Sequence, residues 1–211
     1  MLLPASPKYP DHYPAPRKFA LVISCIDCRL LDDLVRFLTH ENLTNRYYHL
    51  AFAGASLLLS DEINDGVKWP PPVCGRPDGK PWIETLHAHL GTVIALTLGK
   101  LSDVYIVEHR DCGAYEKFLP NSHHSRTDET GPDKERREHK VFALALRDEL
   151  LNWFKEYMEK ADAEQQKPPP KPGEPDCRKQ PLPELPNVRC FLMGLRGEVE
   201  DLDKPPKRKK Q

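Results

Sequence analysis

Five residues in two stretches have the types and spacing for metal and proton chemistry. Cys25, Asp27 and Arg29 follow one another at alternate positions, and His109 and Cys112 come much later as His-x-x-Cys. Zinc prefers thiolate sulfur and imidazole nitrogen, and a catalytic zinc usually takes three protein ligands and leaves a fourth position to water. Cys25, His109 and Cys112 make such a set. Asp27 can accept a hydrogen bond from metal-bound water or take the open position itself, and the planar fork of Arg29 can hold it away. Two anionic thiolates leave the ion less positive than three neutral imidazoles would. The bound water should then be less acidic, and activity should rise into alkaline pH.

The elements that must position these groups can be read outward from them. Phe19 to Arg29, FALVISCIDCR, and Val104 to Gly113, VYIVEHRDCG, each begin as a short apolar run rich in β-branched residues and end in the ligands. Buried parallel strands read in this way, and they deliver side chains to a crevice at their carboxyl ends. A helix is expected over Leu31 to Glu41, with Leu31, Leu34, Val35 and Leu38 on one face and Asp32 and Asp33 in the first turn, where the helix dipole favours acids. Trp82 to Leu101 has helical periodicity with Leu86, Leu90, Val93, Ile94 and Leu98 on a buried stripe, and Gly99 suits the helix end. Asp133 to Ala161 is a long amphipathic helix with an apolar line of Val141, Leu144, Ala145, Leu151, Phe154 and Met158, available for packing within the chain or against another subunit.

Cys-x-Asp-x-Arg at Cys25, Asp27 and Arg29, followed in order by His-x-x-Cys at His109 and Cys112 and then Gly113-Ala114, resembles the active site of the β-class carbonic anhydrases. Tyr48 to Ala55 is similar to that family's second strand and Ala-Gly turn, His87 to Leu101 to the helix before the His-bearing strand, and Val188 to Leu202 to its last strand and hairpin. The resemblance implies an α/β fold, with a mostly parallel β-sheet flanked by helices and an edge strand near the C-terminus. It also implies a zinc lyase, a carbonate dehydratase that reversibly hydrates carbon dioxide to bicarbonate by a zinc-bound hydroxide. Cys25, His109 and Cys112 would be the Zn2+ ligands. Asp27 and Arg29 would be the orienting catalytic pair, with Asp27 a possible fourth ligand. A homodimer or higher homo-oligomer is expected.

Two departures from the family are visible. Where it commonly reads Arg-Asn-Ala-Gly, this chain has Ala51-Phe52-Ala53-Gly54, so an arginine is absent and an aromatic has entered. Phe52 either narrows the pocket or belongs to the core, as buried aromatics usually do. The family's N-terminal helices, which wrap a partner subunit, are replaced by a proline-punctuated arm over 1–18 that can form little helix. Three other readings stay open: hydrolysis of carbon disulfide or carbonyl sulfide on the same zinc, a zinc-bearing homologue without turnover, and a Cys-x-x-Cys redox dithiol at Cys25 and Cys28. The last leaves His109 and Cys112 unused.

Length and composition bound the rest. The chain has 211 residues, enough for one domain with a real core. That domain is read over 19–202, with an insertion loop at 61–81 and a proline-rich linker at 162–187, followed by a basic tail at 203–211. The 22 prolines are about twice the usual share of about 5% and cluster in the arm, the insertion, the linker and the tail, so they mark loops. The insertion is either a lid near the site or a surface loop. A formal net charge of −1 gives no bulk reason to expect nucleic acid or a membrane surface as partner, and the basic tail reads as a solubilising end. With no signal-like or membrane-spanning apolar run, a cytoplasmic protein with reduced thiols is expected. Cys74, Cys177 and Cys190 read as structural or incidental thiols and the adjacent His123 and His124 as a solvated loop.

Overall fold

A computed structural model describes residues 19–59, 80–119, 131–168 and 182–205. The N-terminal arm, nearly all of the 61–81 insertion, Cys74, His123, His124, Cys177, the middle of the 162–187 linker and the end of the tail lie outside the described residues. The strands are β1 (Phe19–Cys25), β2 (Tyr47–Phe52), β3 (Leu101–His109), β4 (Asn187–Met193) and β5 (Val199–Asp201), in the order β2-β1-β3-β4-β5. β2 and β3 run parallel to β1, and β4 runs parallel to β3, whereas β5 is antiparallel to β4. The sheet is therefore mixed, which corrects the expectation of a mostly parallel one. The cause is local: the turn from Gly194 to Glu198 is too short for a crossover and folds straight back, with Gly197 at φ +85° and Gly194 N–H donating to the Glu198 carbonyl at 2.7 Å. The same hairpin puts β4 inside the sheet and makes β5 the edge strand.

Alternation along the central strands builds two cores. Leu21 and Ile23 of β1, Val104 and Ile106 of β3, and Cys190 and Leu192 of β4 share one cluster with apolar residues of α2 (Lys80–Leu96) and α4 (Gly131–Gln165). The intervening Val22, Tyr105, Val107, Phe191 and Met193 share the other with Leu34 and Leu38 of α1 (Leu31–His40) and Tyr115 of α3 (Gly113–Phe118). Successive strand residues point to opposite faces, so a run buried on both faces must be apolar at every position, as FALVIS nearly is. Cutting one such Leu or Ile back to Ala typically costs about 2–5 kcal/mol, so packing contributes strongly to holding the strands in register.

The helices correct the expected stripes: in α2, which ends at Leu96, the buried line stops at Ile94, and Leu98 lies past the helix and is 64% exposed. In α1 the buried line is Leu30, Leu34 and Leu38, while Leu31 and Val35 are exposed. Strict i, i+4 spacing gives the sheet a narrower stripe than the four-residue face that was expected. In α4 the buried line runs Glu135, Arg136, His139, Phe142, Ala143, Leu146, Leu150 and Phe154, and Val141 faces out. An apolar count misses this phase because the first turns bury charged groups against partners on other elements. α4 also reaches Gln165, into the stretch expected to be linker. At the end of α2, Leu98 and Gly99 both take positive φ and Gly99 N–H donates to the Ile94 carbonyl at 2.9 Å, the left-handed cap that Gly99 was expected to supply. Among the described residues no helix is long and apolar enough to cross a membrane.

Candidate metal centre

β1 and β3 are parallel neighbours with Ser24 paired to Val107, so their carboxyl ends open on the same edge of the sheet. Cys25 is the last residue of β1 and His109 the last of β3. Cys112 directly precedes α3 as its N-cap residue, with extended backbone. All three side chains are buried, and one ligand atom from each lies within 4.8 Å of the others. The two sulfurs are 3.9 Å apart. A tetrahedral ion with sulfur bonds of about 2.3 Å holds two thiolates about 3.8 Å apart, so the spacing suits a metal. His109 Nδ1 is 2.9 Å from the Arg110 carbonyl, to which it donates, and this fixes the tautomer that leaves the Nε2 lone pair for the cluster. Nε2 is buried and has no hydrogen-bond partner. A buried acceptor without a partner is costly, and a metal ion would satisfy it. The donor set therefore can hold a metal ion.

Charges inside the cluster reinforce one another. Cys25 is held well below the ordinary thiol range, first by the hydrogen bond from the Cys112 thiol, against burial, and further by His109 and the Gly54 N–H. Cys112 moves the opposite way, because it donates to Cys25 and is buried beside that negative charge. Burial pulls the His109 pKa down, but the Cys25 thiolate more than offsets this and leaves it raised. The site thus favours one thiolate, at Cys25, and a cation would have to draw the second proton from Cys112.

Asp27 and Arg29 stand beside the triad. Arg29 clamps the carboxylate with its fork, Nε to Oδ1 at 3.0 Å and Nη2 to Oδ2 at 2.6 Å, and the same guanidinium reaches Asp111 through Nη1 to Oδ2 at 3.0 Å and Nη2 to the backbone carbonyl at 3.0 Å. The hydrogen bonds from Arg29 lower the Asp27 pKa to about 2, against partial burial. Asp27 Oδ2 is 3.9 Å from His109 Nε2, and Asp27 is not one of the three clustered ligands. The thiol 3.9 Å from Cys25 is that of Cys112, while Cys28 is exposed. Phe52 packs against the core on the α2 and α4 face with its ring 6.1 Å from Trp82, and Cys190 is a core thiol donating to the Ala143 carbonyl.

Several residues of this end of the sheet escaped the sequence reading. Asp111 is the second arm of the Arg29 clamp. Arg110 pairs with Glu135 at 3.0 Å and with Glu200, which also takes Arg136 at 3.1 Å. Glu108, 1% exposed, accepts hydrogen bonds from the Ser56 N–H at 3.0 Å and the Ser56 hydroxyl, and meets His139 Nδ1 at 3.0 Å. The one available signal was the carboxylate of Glu108 inside an apolar strand run, since an acid there must find buried partners.

No protein-family model matches the chain. It is 25% identical over 188 residues to an uncharacterized protein of Rickettsia bellii, covering 86% of this chain and 80% of that one. It is 26% identical over 186 residues to an uncharacterized protein of Rickettsia conorii, covering 88% and 73% respectively. Among solved structures it is loosely similar to a β-carbonic anhydrase of the fungus Aspergillus fumigatus, with a TM-score of 0.35 and 13% identity over 88% of this chain and 89% of that one. A likeness that loose carries no argument about function.

Proposed function

We propose that this chain is a zinc-dependent carbonic anhydrase that reversibly hydrates carbon dioxide to bicarbonate. The observation that carries the reading is the buried Cys25, His109 and Cys112 cluster, with its sulfurs 3.9 Å apart and His109 Nε2 without a partner. The substrate class comes from the resemblance of the ordered motif pair to the β-class enzymes. Zinc at these donors would supply Lewis acidity that lowers the pKa of water at the open fourth position toward neutrality. The two thiols and His109 Nε2 would hold the ion, and the His109 Nδ1 hydrogen bond keeps the ring oriented. Asp27, kept ionised and turned by the Arg29 fork, would accept a hydrogen bond from water at the open position, and the fork would hold it back from ligating the ion. Arg29 in turn is fixed by Asp111, so the loop after β1 and the loop after β3 are tied across the site. The working unit is the domain at 19–202, acting in the cytoplasm as a homodimer or higher assembly.

The test is metal analysis joined to stopped-flow carbon dioxide hydration at mildly alkaline pH. One zinc per chain and a fast rate are expected, and His109→Ala should lose both. A wild-type protein that binds no zinc would sink the site. One that binds zinc without hydrating carbon dioxide would sink this substrate, and the same sample would then be assayed with carbon disulfide and carbonyl sulfide, the linear relatives that fit the same chemistry.

A further inference from the structure

Glu108 is a buried carboxylate that the proposed chemistry does not use. It lies next to His109 in β3 yet serves the turn that follows β2. Its Oε1 takes both the N–H and the hydroxyl of Ser56, and its Oε2 meets Nδ1 of His139 in α4, all three residues being at most 1% exposed. The Tyr115 ring closes over His139, with centroids 4.0 Å apart. Placing a carboxylate in an apolar layer is unfavourable unless each of its oxygens is satisfied, and here each one is.

What the carboxylate holds is an unusual piece of backbone. Gly54 and Ala55 take consecutive left-handed conformations, φ +71° and φ +48°. The second is disfavoured for any residue with a Cβ. A Cβ on Gly54 would come within 3.0 Å of Leu57 Cβ and 3.2 Å of Ala114 Cβ, so the turn is wedged against the start of α3, beside Cys112. In this conformation the Gly54 N–H points at Cys25 Sγ, 3.3 Å away. An N–H donated to a ligand sulfur draws off part of the charge that the sulfur would give to a metal. Partners of this kind are commonly worth about 10–100-fold in metal affinity or activity.

We propose that Glu108 is a positioning residue for the metal centre: by gripping Ser56 it holds the Gly54–Ala55 turn so that the Gly54 N–H stays on the Cys25 sulfur. The inference rests on reading Cys25, His109 and Cys112 as a metal site, and His139 anchors the far side of the carboxylate to α4.

The test uses the full chain loaded with cobalt(II), whose sulfur-to-metal charge-transfer band reports directly on the ligand thiolates, together with chelator competition. Glu108→Leu, which removes the acceptor but keeps the bulk, should shift the band and weaken cobalt binding about 10–100-fold. Glu108→Gln, which retains an oxygen for the Ser56 N–H, should return band and affinity close to wild type. A folded Glu108→Leu protein with the wild-type band and affinity overturns the proposal, as does a Glu108→Gln protein that falls as far as the Leu variant. If Glu108→Leu does not fold, Ser56→Ala should move the band in the same direction by less, and an unmoved band there overturns the proposal equally. Wild-type protein that takes up no cobalt would sink the metal site and this inference together. Wild-type protein that shows the band but does not hydrate carbon dioxide would sink only the proposed reaction.

Discussion

The two strand ends that meet at the candidate site are supported in different ways. After β1 the chain leaves the sheet by a short loop whose side chains face solvent in part: the Arg29 side chain is 44% exposed and Asp27 is 17% exposed. At and just past the end of β3, Glu108, Arg110 and Asp111 are each bound to groups from elsewhere, Glu108 to Ser56 and His139, Arg110 to Glu135 and Glu200, and Asp111 to Arg29. One end is the accessible wall of the site and the other is its foundation. A metal held by this cluster with an open position would need a side that substrate can reach and a side that does not move, and the split would give each strand end one of these tasks.

The strongest way to break that comparison is to cut the foundation. Arg110→Ala would leave Glu135 and Glu200 facing one another without the guanidinium between them, and Glu135 is only 10% exposed at its side chain. Breaking a fully buried pair costs about 3–5 kcal/mol, and partial exposure of Arg110 and Glu200 reduces this, so a loss of about 2 kcal/mol is expected in urea unfolding. A loss below about 0.5 kcal/mol, the size of an ordinary surface substitution, would mean that the β3 end is no better anchored than the β1 end.

Cutting the accessible wall should do the reverse. Arg29→Lys keeps the charge but loses the fork that holds Asp27 and Asp111 together. Metal content should be unchanged and stability should fall by less than about 1 kcal/mol, because the pair is substantially solvated. Carbon dioxide hydration should drop by about tenfold or more, since Asp27 is no longer oriented. A variant that loses its metal instead would show that Arg29 belongs to the foundation.

The same contrast explains what could be read from the sequence. That Cys25, His109 and Cys112 come together and that Arg29 pairs with Asp27 was legible because each follows a β-branched apolar run, where chain order fixes its placement. Gly99 was legible because a helix end asks for a left-handed residue. The phase of α4 was not, because Glu135, Arg136 and His139 look like a solvated face until Glu108 and Glu200 are brought beside them, and those partners are remote in sequence. The mixed sheet was missed for a related reason. β5 has only three residues, too few for a periodic signal, and its direction is set by the turn at Gly197. Foundations made of long-range polar pairs leave little local pattern, whereas strand-end ligands leave a clear one.

The smallest effect is a test of how far the foundation depends on charge. Burial tends to raise the Glu200 pKa, but the hydrogen bonds and charges of Arg110 and Arg136 outweigh it and leave the pKa lowered. A carboxyl whose pKa is lower in the folded than in the unfolded chain contributes stability that is fully present above the unfolded value, about 4.3, and is lost as pH falls through the folded value. Wild-type protein should therefore lose this contribution on acidification below about pH 4.3, and Glu200→Gln should lack that part of the slope. The difference should stay below about 1 kcal/mol, since the Glu200 side chain is 37% exposed and water screens the pair. Parallel urea midpoints for the two proteins from neutral pH down to pH 3 would mean that Glu135, not Glu200, carries the charge that Arg110 answers.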